Sequence, residues 1–442
     1  LYKQTKEKGA LPETKIADAT IITPYLVDKT FKVLTEEDAL VRQFDKTTTA
    51  TFNFERGKSA IRPTELKDQD IAALISWIQA AQNNPKIKIT GIEINGYASP
   101  DGEVSKNDNL SSDRTVAARK ALTELMKKAK LTAYSDTAAY QLAKYGEDFE
   151  GFKSQLAATA SIPEADKNLF IRILEMTKDP EQREKDMINL GKAYTELERD
   201  VFPMIRRAIV VVKYTEYGLT DDELKNAVVN NPNSLSVEEL LFTAGKLTTD
   251  LNQKATIYGI AAANYAQDHR THTNLGATLF ELNKTKEAAA AFKKANELKA
   301  NAVTDNNLAA SLFLEGNRAA AKKLLRSKTT VSGYNQGIID IMEGNYSAAE
   351  KNISQDSYNK VLALVLQDKT DLAKKAAANL KETAELAYLK AIIEAKSGSN
   401  VDAVVASLKI AISKNAALKA KAAKDREFIK YMNEATFIDL VK

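Results

Sequence analysis

The feature that most constrains this chain is a recurring spacing in its C-terminal half. Leu275 is followed by Gly276, Leu279, Ala288, Phe292 and Ala295, at +1, +4, +13, +17 and +20. Starting from Leu308, the residues Ala309, Leu312, Ala321 and Leu325 keep all of these places but the last. Gly337, Ala349 and Ile353 keep the +1, +13 and +17 places a third time, and weaker copies centre on Ala255, Ala373 and Ala403. Asn283, Glu315-Gly316-Asn317, Glu343-Gly344-Asn345 and Ser397-Gly398-Ser399 fall between the two halves of a unit. Residues of that kind end one helix and begin the next. Small residues at +1 and +13 let the two helices approach closely, and large apolar residues at +4 and +17 fill the gaps between them. One helix pair cannot bury its apolar face alone, whereas a stack of pairs can. The sequence therefore predicts an all-α solenoid over residues 219–442, with a concave surface of the kind that holds peptides or proteins.

Residues before about 218 follow a different grammar. Tyr25 to Val33 and Thr47 to Phe54 are rich in β-branched and aromatic residues and read as strands. Pro63 opens a helix through Ala81, with Ile71, Leu74, Ile75 and Ile78 on one face. From Lys86 to Asn95, Ile87 and Ile89 alternate, and Ile92 and Ile94 resume after a slip at Gly91 that predicts a bulge. A loop over 97–107 leads to a helix from about Leu110 to Lys128, with Val116, Ala117, Leu122 and Leu125 inward. Residues 130–203 read as polar and helical. Ser161 and Glu164 bracket a capping box, and Pro180 opens a further helix after Asp179. Ile205 to Tyr214 is a β-branched run that reads as a buried strand, so 130–203 reads as an insertion within one domain.

Both halves resemble known families. The repeating unit resembles the tetratricopeptide repeat, a helix–turn–helix of ~34 residues, although its terminal proline is Ala300 here and the later copies are shorter. In the first half, Gly96-Tyr97-Ala98-Ser99-Pro100-Asp101-Gly102, then Asn107, Leu110-Ser111 and Arg114, resembles the OmpA-like peptidoglycan-association domain. That family carries Gly-His-Thr-Asp-x-x-Gly followed by Asn-x-x-Leu-Ser-x-x-Arg-Ala. Phe52-Asn53-Phe54 resembles its opening strand, and Arg206-Arg207-Ala208-Ile209-Val210 its closing one, with Ile205 in place of the family Asn. A long insertion closed by Phe202-Pro203-x-x-Arg206-Arg207 looks like the OmpA-like proteins of Bacteroidota.

These resemblances imply a fold class of α+β: an OmpA-C-like α/β sandwich over 47–218 with a helical insertion at 130–203, then a TPR-like solenoid over 219–442. Residues 1–46 read as a partly β segment, either part of this domain or the end of an upstream one. The OmpA-like family binds the diaminopimelate stem of peptidoglycan. An Asp takes the ligand's ammonium, an Arg pairs with a carboxylate, and helix N-terminal amides help hold the anion. The Arg is Arg114. The family Asp is Ser99, and Asp101 two residues on is the available substitute. Asn107 and Ser111 complete the implied peptidoglycan site.

Composition closes off other chemistries. Cysteine is zero, which excludes disulfides, thiolate metal sites and a Cys nucleophile. The two histidines, His269 and His272, stand three apart with no evident third ligand, and no cofactor is expected. Net charge is +4 on 442 residues, with no aromatic stripe for base stacking, so nucleic acid is not an expected partner. No apolar run approaches the ~18 residues of a membrane helix. Leu1 in place of Met reads as a processed or trimmed chain, which leaves a signal peptide or a lipid anchor open.

Three readings of function follow. The first is a non-enzymatic periplasmic scaffold at the outer membrane, with peptidoglycan bound by the α/β domain and an unidentified protein or peptide bound by the repeats. The second keeps the architecture as an interaction module whose OmpA-like domain does not bind peptidoglycan. The third is a hydrolase using Glu147, Asp148 and Asp101.

Overall fold

The computed structural model describes residues 21–101, 103–325 and 329–442. It divides into two compact units, one formed by 41–220 and the other by the N-terminal segment together with 221–442.

The first unit holds a four-stranded sheet in the order β1-β4-β2-β3: β1 (Gln43–Asn53), β2 (Ile87–Ala98), β3 (Tyr140–Glu147) and β4 (Arg207–Tyr217). β4 lies between β1 and β2 and is antiparallel to both, while β3 runs parallel to β2. The expected slip is present: the β2–β4 register shifts between Ile89 and Gly91. Two helices, α1 (Gln69–Gln82) and α2 (Val104–Lys128), cover one face. Ile71, Leu74 and Ile78 of α1 and Ala118, Leu122 and Met126 of α2 meet Phe52, Ile92, Ile94, Val210 and Val212 in one core.

Several expectations need correction. Only a short 3-10 turn, Glu65–Lys67, follows Pro63, and α1 starts after Asp68, whose carboxylate caps it. Helix α2 begins at Val104, six residues earlier than expected, and Val116 is 47% exposed rather than inward. β3 lies inside the stretch read as helical. A parallel edge strand with a polar exposed face has weak alternation, which hid it. The helices of the insertion are α3 (Phe149–Ala158), α4 (Glu164–Met176), α5 (Pro180–Ile188), α6 (Lys192–Glu196) and α7 (Phe202–Ile205). They have their own core, including Phe152, Phe170, Tyr194 and Phe202. α5 opens at Pro180 as the sequence predicts, and the Asp179 carboxylate caps it. The capping box at Ser161 does not form: Pro163 is the N-cap residue of α4, and the Ser161 hydroxyl donates instead to Asp200 Oδ2 at 2.5 Å.

The second unit is helical after α8 (Asp221–Asn230), α9 (Val237–Phe242) and α10 (Leu251–Asn264). Helix pairs follow in series: α11 (His269–Glu281) with α12 (Thr285–Leu298), α13 (Ala302–Leu314) with α14 (Arg318–Leu324), and α15 (Thr330–Met342) with α16 (Tyr346–Asn352). The series continues with α17 (Tyr358–Val365) and α18 (Thr370–Ala378), then α19 (Ala384–Lys396) and α20 (Val401–Lys414), and closes with α21 (Ala417–Ala422) and α22 (Ala435–Val441). Each predicted turn falls between the helices of a pair.

The spacing rule has a direct steric basis. A Cβ on Gly276 would stand 2.6 Å from the Phe292 ring, and one on Gly337 would stand 2.4 Å from Ile353 Cγ1. The +1 residue is thus small because the +17 side chain fills its place. Phe292, Leu325 and Ile353 are fully or almost fully buried, whereas Leu279 and Leu312 at +4 are half-buried at the edge of the core. Ala373 is buried as expected, but Ala255 and Ala403 are only half-buried; in α20 the core places belong to Val404 and Leu408.

The largest departure concerns the N-terminal segment. Tyr25 to Val33 is not a sheet strand. After a 3-10 turn at Thr23–Leu26, residues 27–42 run without regular secondary structure, and residues 21–40 belong to the helical unit.

Candidate functional site

Two sets of polar residues stand out, one in each unit. The first contains the five residues of the implied peptidoglycan site. All are buried: Ser99, Asp101, Asn107, Ser111 and Arg114. Because α2 starts at Val104, Arg114 lies nearly three turns inside the helix rather than at its exposed start. Arg114 is 1% exposed, and its guanidinium donates to backbone carbonyls: Tyr97 O at 2.8 Å, Lys58 O at 3.2 Å and Glu55 O at 3.4 Å. It also faces the Phe54 ring at 5.4 Å. Burial, with the nearby Arg206 charge, pushes its pKa down to about 10. Arg114 therefore ties the loop after β1 to the end of β2.

Asp101 is equally engaged. Arg206 Nη2 donates to its Oδ2 at 3.0 Å, and Arg56 Nε lies 3.2 Å from the same oxygen. Ser99 Oγ donates to Asp101 Oδ1 and accepts from Arg206 Nε at 3.0 Å. Asn107 Nδ2 donates to Ser99 O, Asp101 O and Glu147 Oε1 at 3.0–3.3 Å. Ser111 Oγ donates to Asp108 O and accepts from Gly146 N. Gly96 permits this close assembly, since a Cβ there would stand 2.2 Å from Ser111 O.

The structure thus brings the five residues together, but their polar groups serve one another. Arg206 and Tyr194, from the insertion and its exit, complete the cluster. Burial and the nearby Asp101 and Glu198 carboxylates push the Tyr194 phenol up to about 12, and its buried hydroxyl has no hydrogen-bond partner among the described residues. Glu147 and Asp148, the residues of the hydrolase reading, are held apart in function. Burial raises the Glu147 pKa while Asn107 and Arg183 face it, and Asp148 pairs with Arg207 Nη2 at 2.7 Å.

The second set was not singled out from the sequence. The extended segment 27–36 lies along the first helices of four successive pairs, each of which supplies an asparagine that holds both polar groups of one residue, and α13 adds Asn306, whose Nδ2 donates to Lys32 O at 3.0 Å. Asn274 on α11 accepts from Glu36 N at 2.7 Å and donates to Glu36 O at 2.9 Å. Asn307 on α13 grips Leu34 N and O at 2.8 and 2.7 Å, and Asn335 on α15 grips Lys32 N and O at 2.8 and 2.7 Å. Asn359 on α17 grips Asp28 N and O at 3.0 and 2.8 Å. The segment therefore runs opposite to the order of the repeats. In extended backbone, the N–H and C=O of one residue point to the same side. A carboxamide has one acceptor and one donor edge and so replaces the neighbouring strand. This explains the β-like sequence of a segment that joins no sheet.

Side chains add selectivity. Phe31 stacks on Phe313 with ring centroids 4.1 Å apart, and Val27 enters the same core. Burying two such side chains stabilises the arrangement by roughly 1.5–3 kcal/mol each. Lys32 Nζ lies 4.2 Å above the Tyr334 ring. The Glu36 carboxylate receives Asn301 Nδ2 at 2.9 Å and faces His269 Nε2 at 3.1 Å. His272 instead faces Ala266 O at 3.0 Å, so the two histidines do not converge on a common point. Further along, Ala39 N donates to Glu238, a carboxylate that the Arg270 hydrogen bonds hold below its ordinary pKa. Among the described residues no group of three or more potential metal ligands occurs, and no helix is long and apolar enough to cross a membrane.

A signal for the asparagines was present in the sequence. Asn274, Asn307 and Asn335 each stand two residues before the small +1 residue of their unit. All four asparagines are at most 1% exposed. A buried asparagine repeated in register is costly unless each copy has a polar partner.

No family model matches the chain, and no curated protein matches it. Among solved structures, the chain is similar to one described as the crystal structure of the APC/C hetero-tetramer Cut9-Hcn1. The identity is 13% and the TM-score 0.33, over 84% of this chain and 81% of that one. Superposition at that level does not establish a common fold, so the functional reading rests on the geometry above.

Proposed function

We propose that this chain is a non-enzymatic protein-interaction module whose helical repeats hold an extended polypeptide segment. The observation that carries the reading is the set of four asparagines, each holding both the N–H and the C=O of one residue in the same extended strand. The helix pairs answer to the tetratricopeptide-like pattern, and a groove that reads backbone is suited to polypeptide rather than to a small substrate.

The first unit is the OmpA-like part of the proposal, supported by the order β1-β4-β2-β3 and the residues around Arg114. We place the chain in the periplasm beside the outer membrane on that resemblance alone. Within it, the closed cluster favours the reading without peptidoglycan. The ligand's carboxylate would have to draw Arg114 from three carbonyls, and its ammonium would have to draw Asp101 from two guanidinium groups. Each loss of a charge-assisted bond costs roughly 1.5–3 kcal/mol. Co-sedimentation of the full chain with diaminopimelate-type peptidoglycan sacculi tests this. The chain is expected to stay in the supernatant. Pelleting of the chain that a soluble diaminopimelate-containing stem peptide competes away would restore the wall-binding reading.

A further inference from the structure

The geometry points to residues 27–36 as a resident ligand: we propose that the groove accepts in their place an extended segment of another protein. That segment would carry an apolar residue, an aromatic residue four positions on and an acidic residue five further. The inference rests on the interaction-module reading and names the chemistry of its partner.

Three observations support exchange. Nine of the bonds that hold the segment go to its backbone, so they are available to any non-proline sequence at those positions. Sequence is read mainly at three places: the core contact of Val27, the Phe313 ring under Phe31, and the Asn301–His269 pair at the Glu36 carboxylate. The groove also requires an occupant. With nothing in it, four helix-borne carboxamides would lose their partners in an apolar setting, whereas apolar residues at those positions would simply close the gap.

The structure also explains how the resident segment competes. Val41 to Thr220 forms a unit of its own, and β1 and β4 pair from Gln43↔Tyr217, so the chain enters and leaves that unit at one edge. Gly218 N donates to Arg42 O at 2.9 Å. A 180-residue unit thus tethers the segment as a short linker would, which keeps its effective concentration high. A competing segment must bind tightly or be tethered itself. Next to Val27, a cavity of about 550 Å³ bounded by Asp28, Tyr358, Thr383 and Leu386 leaves space for a larger apolar residue than valine.

The test uses the full chain with a protease recognition site inserted between Leu40 and Val41. After cleavage, a fluorescent peptide of residues 21–40 is added and uptake is followed by anisotropy. The cut chain is expected to keep its helical circular dichroism and to exchange its own segment for the labelled one. A Phe31→Ala peptide should bind at least tenfold more weakly, and so should the wild-type peptide to a cut Asn307→Ala/Asn335→Ala chain. A peptide of unrelated sequence that keeps only the apolar, aromatic and acidic positions should compete within tenfold. Loss of helical signal once the segment leaves, or failure of the labelled peptide to exchange, would make residues 27–36 an integral core element and overturn the proposal. Equal uptake of a scrambled peptide would overturn the stated specificity. If uncut chains form dimers that the peptide dissociates, the occupant is a second copy and the heterologous partner is overturned. Failure here leaves the sacculus experiment unaffected, so the two readings fall separately.

Discussion

At the scale of single residues, the helical unit is governed by pairs in which one side chain occupies the place another gives up. Gly337 and Ile353 are such a pair. A methyl group at 337 would stand 2.4 Å from Ile353 Cγ1 and 2.7 Å from its Cδ1, the atom that valine lacks, with the Ala349 carbonyl oxygen at 3.4 Å. Overpacking of this kind costs roughly 1–3 kcal/mol. Gly337→Ala is therefore expected to lower the urea midpoint of the helical signal, and Ile353→Val in the same chain to recover part of the loss. A gain in stability on Gly337→Ala would mean that helix propensity outweighs the contact. This pair was legible in the sequence because both residues sit within one repeat at a fixed spacing. The five residues around Arg114 were legible as a group, but their state was not. Whether an arginine faces a ligand or three carbonyls depends on where loop 55–58 comes to rest, and no local pattern encodes that.

At the scale of elements, the segment 27–40 behaves as a strand whose neighbour is built from side chains. Its far end is fixed by Glu238, which accepts from Ala39 N at 2.6 Å and from both Nη atoms of Arg270 at 3.1 and 2.6 Å. The Arg270 hydrogen bonds hold the Glu238 pKa below its ordinary value against the opposing effect of partial burial. A carboxyl depressed on folding contributes stability that is fully present above its unfolded value, about 4.3, and that is lost as pH falls through the folded one. The difference in thermal midpoint between wild type and Glu238→Gln should therefore be largest near pH 6 and shrink towards pH 3. Since the pair is partly exposed, the effect should stay below about 1 kcal/mol. A difference that grows on acidification would exclude this anchor. The element most poorly read from sequence was β3, whose edge position leaves it only weakly patterned.

At the scale of the whole molecule, the two compact units carry separate reporters. Trp77, the only tryptophan, lies on α1 and packs against Tyr214 with ring centroids 4.6 Å apart. Its fluorescence reads the sheet unit, while most of the helical signal comes from residues 221–442. Asp101→Asn removes a buried charge that Arg206 requires, which costs roughly 3–5 kcal/mol. The expected outcome is a Trp77 fluorescence transition at clearly lower urea, with the main circular dichroism transition within error of wild type. Equal shifts in both would show that the units unfold as one.

The helix pairs and most of the sheet are legible in the sequence, because their rules act over a few residues: periodicity, caps, and a small residue facing a large one. Tyr25 to Val33 is likewise legible as extended. What that extended backbone pairs with emerges only in the folded chain. The asparagines that hold it lie 238 to 331 positions away in the chain. Period-two alternation is the same whether an extended segment meets a strand or a row of carboxamides. A single asparagine in a helix is likewise uninformative until the hydrogen-bond partner that keeps it buried is in place.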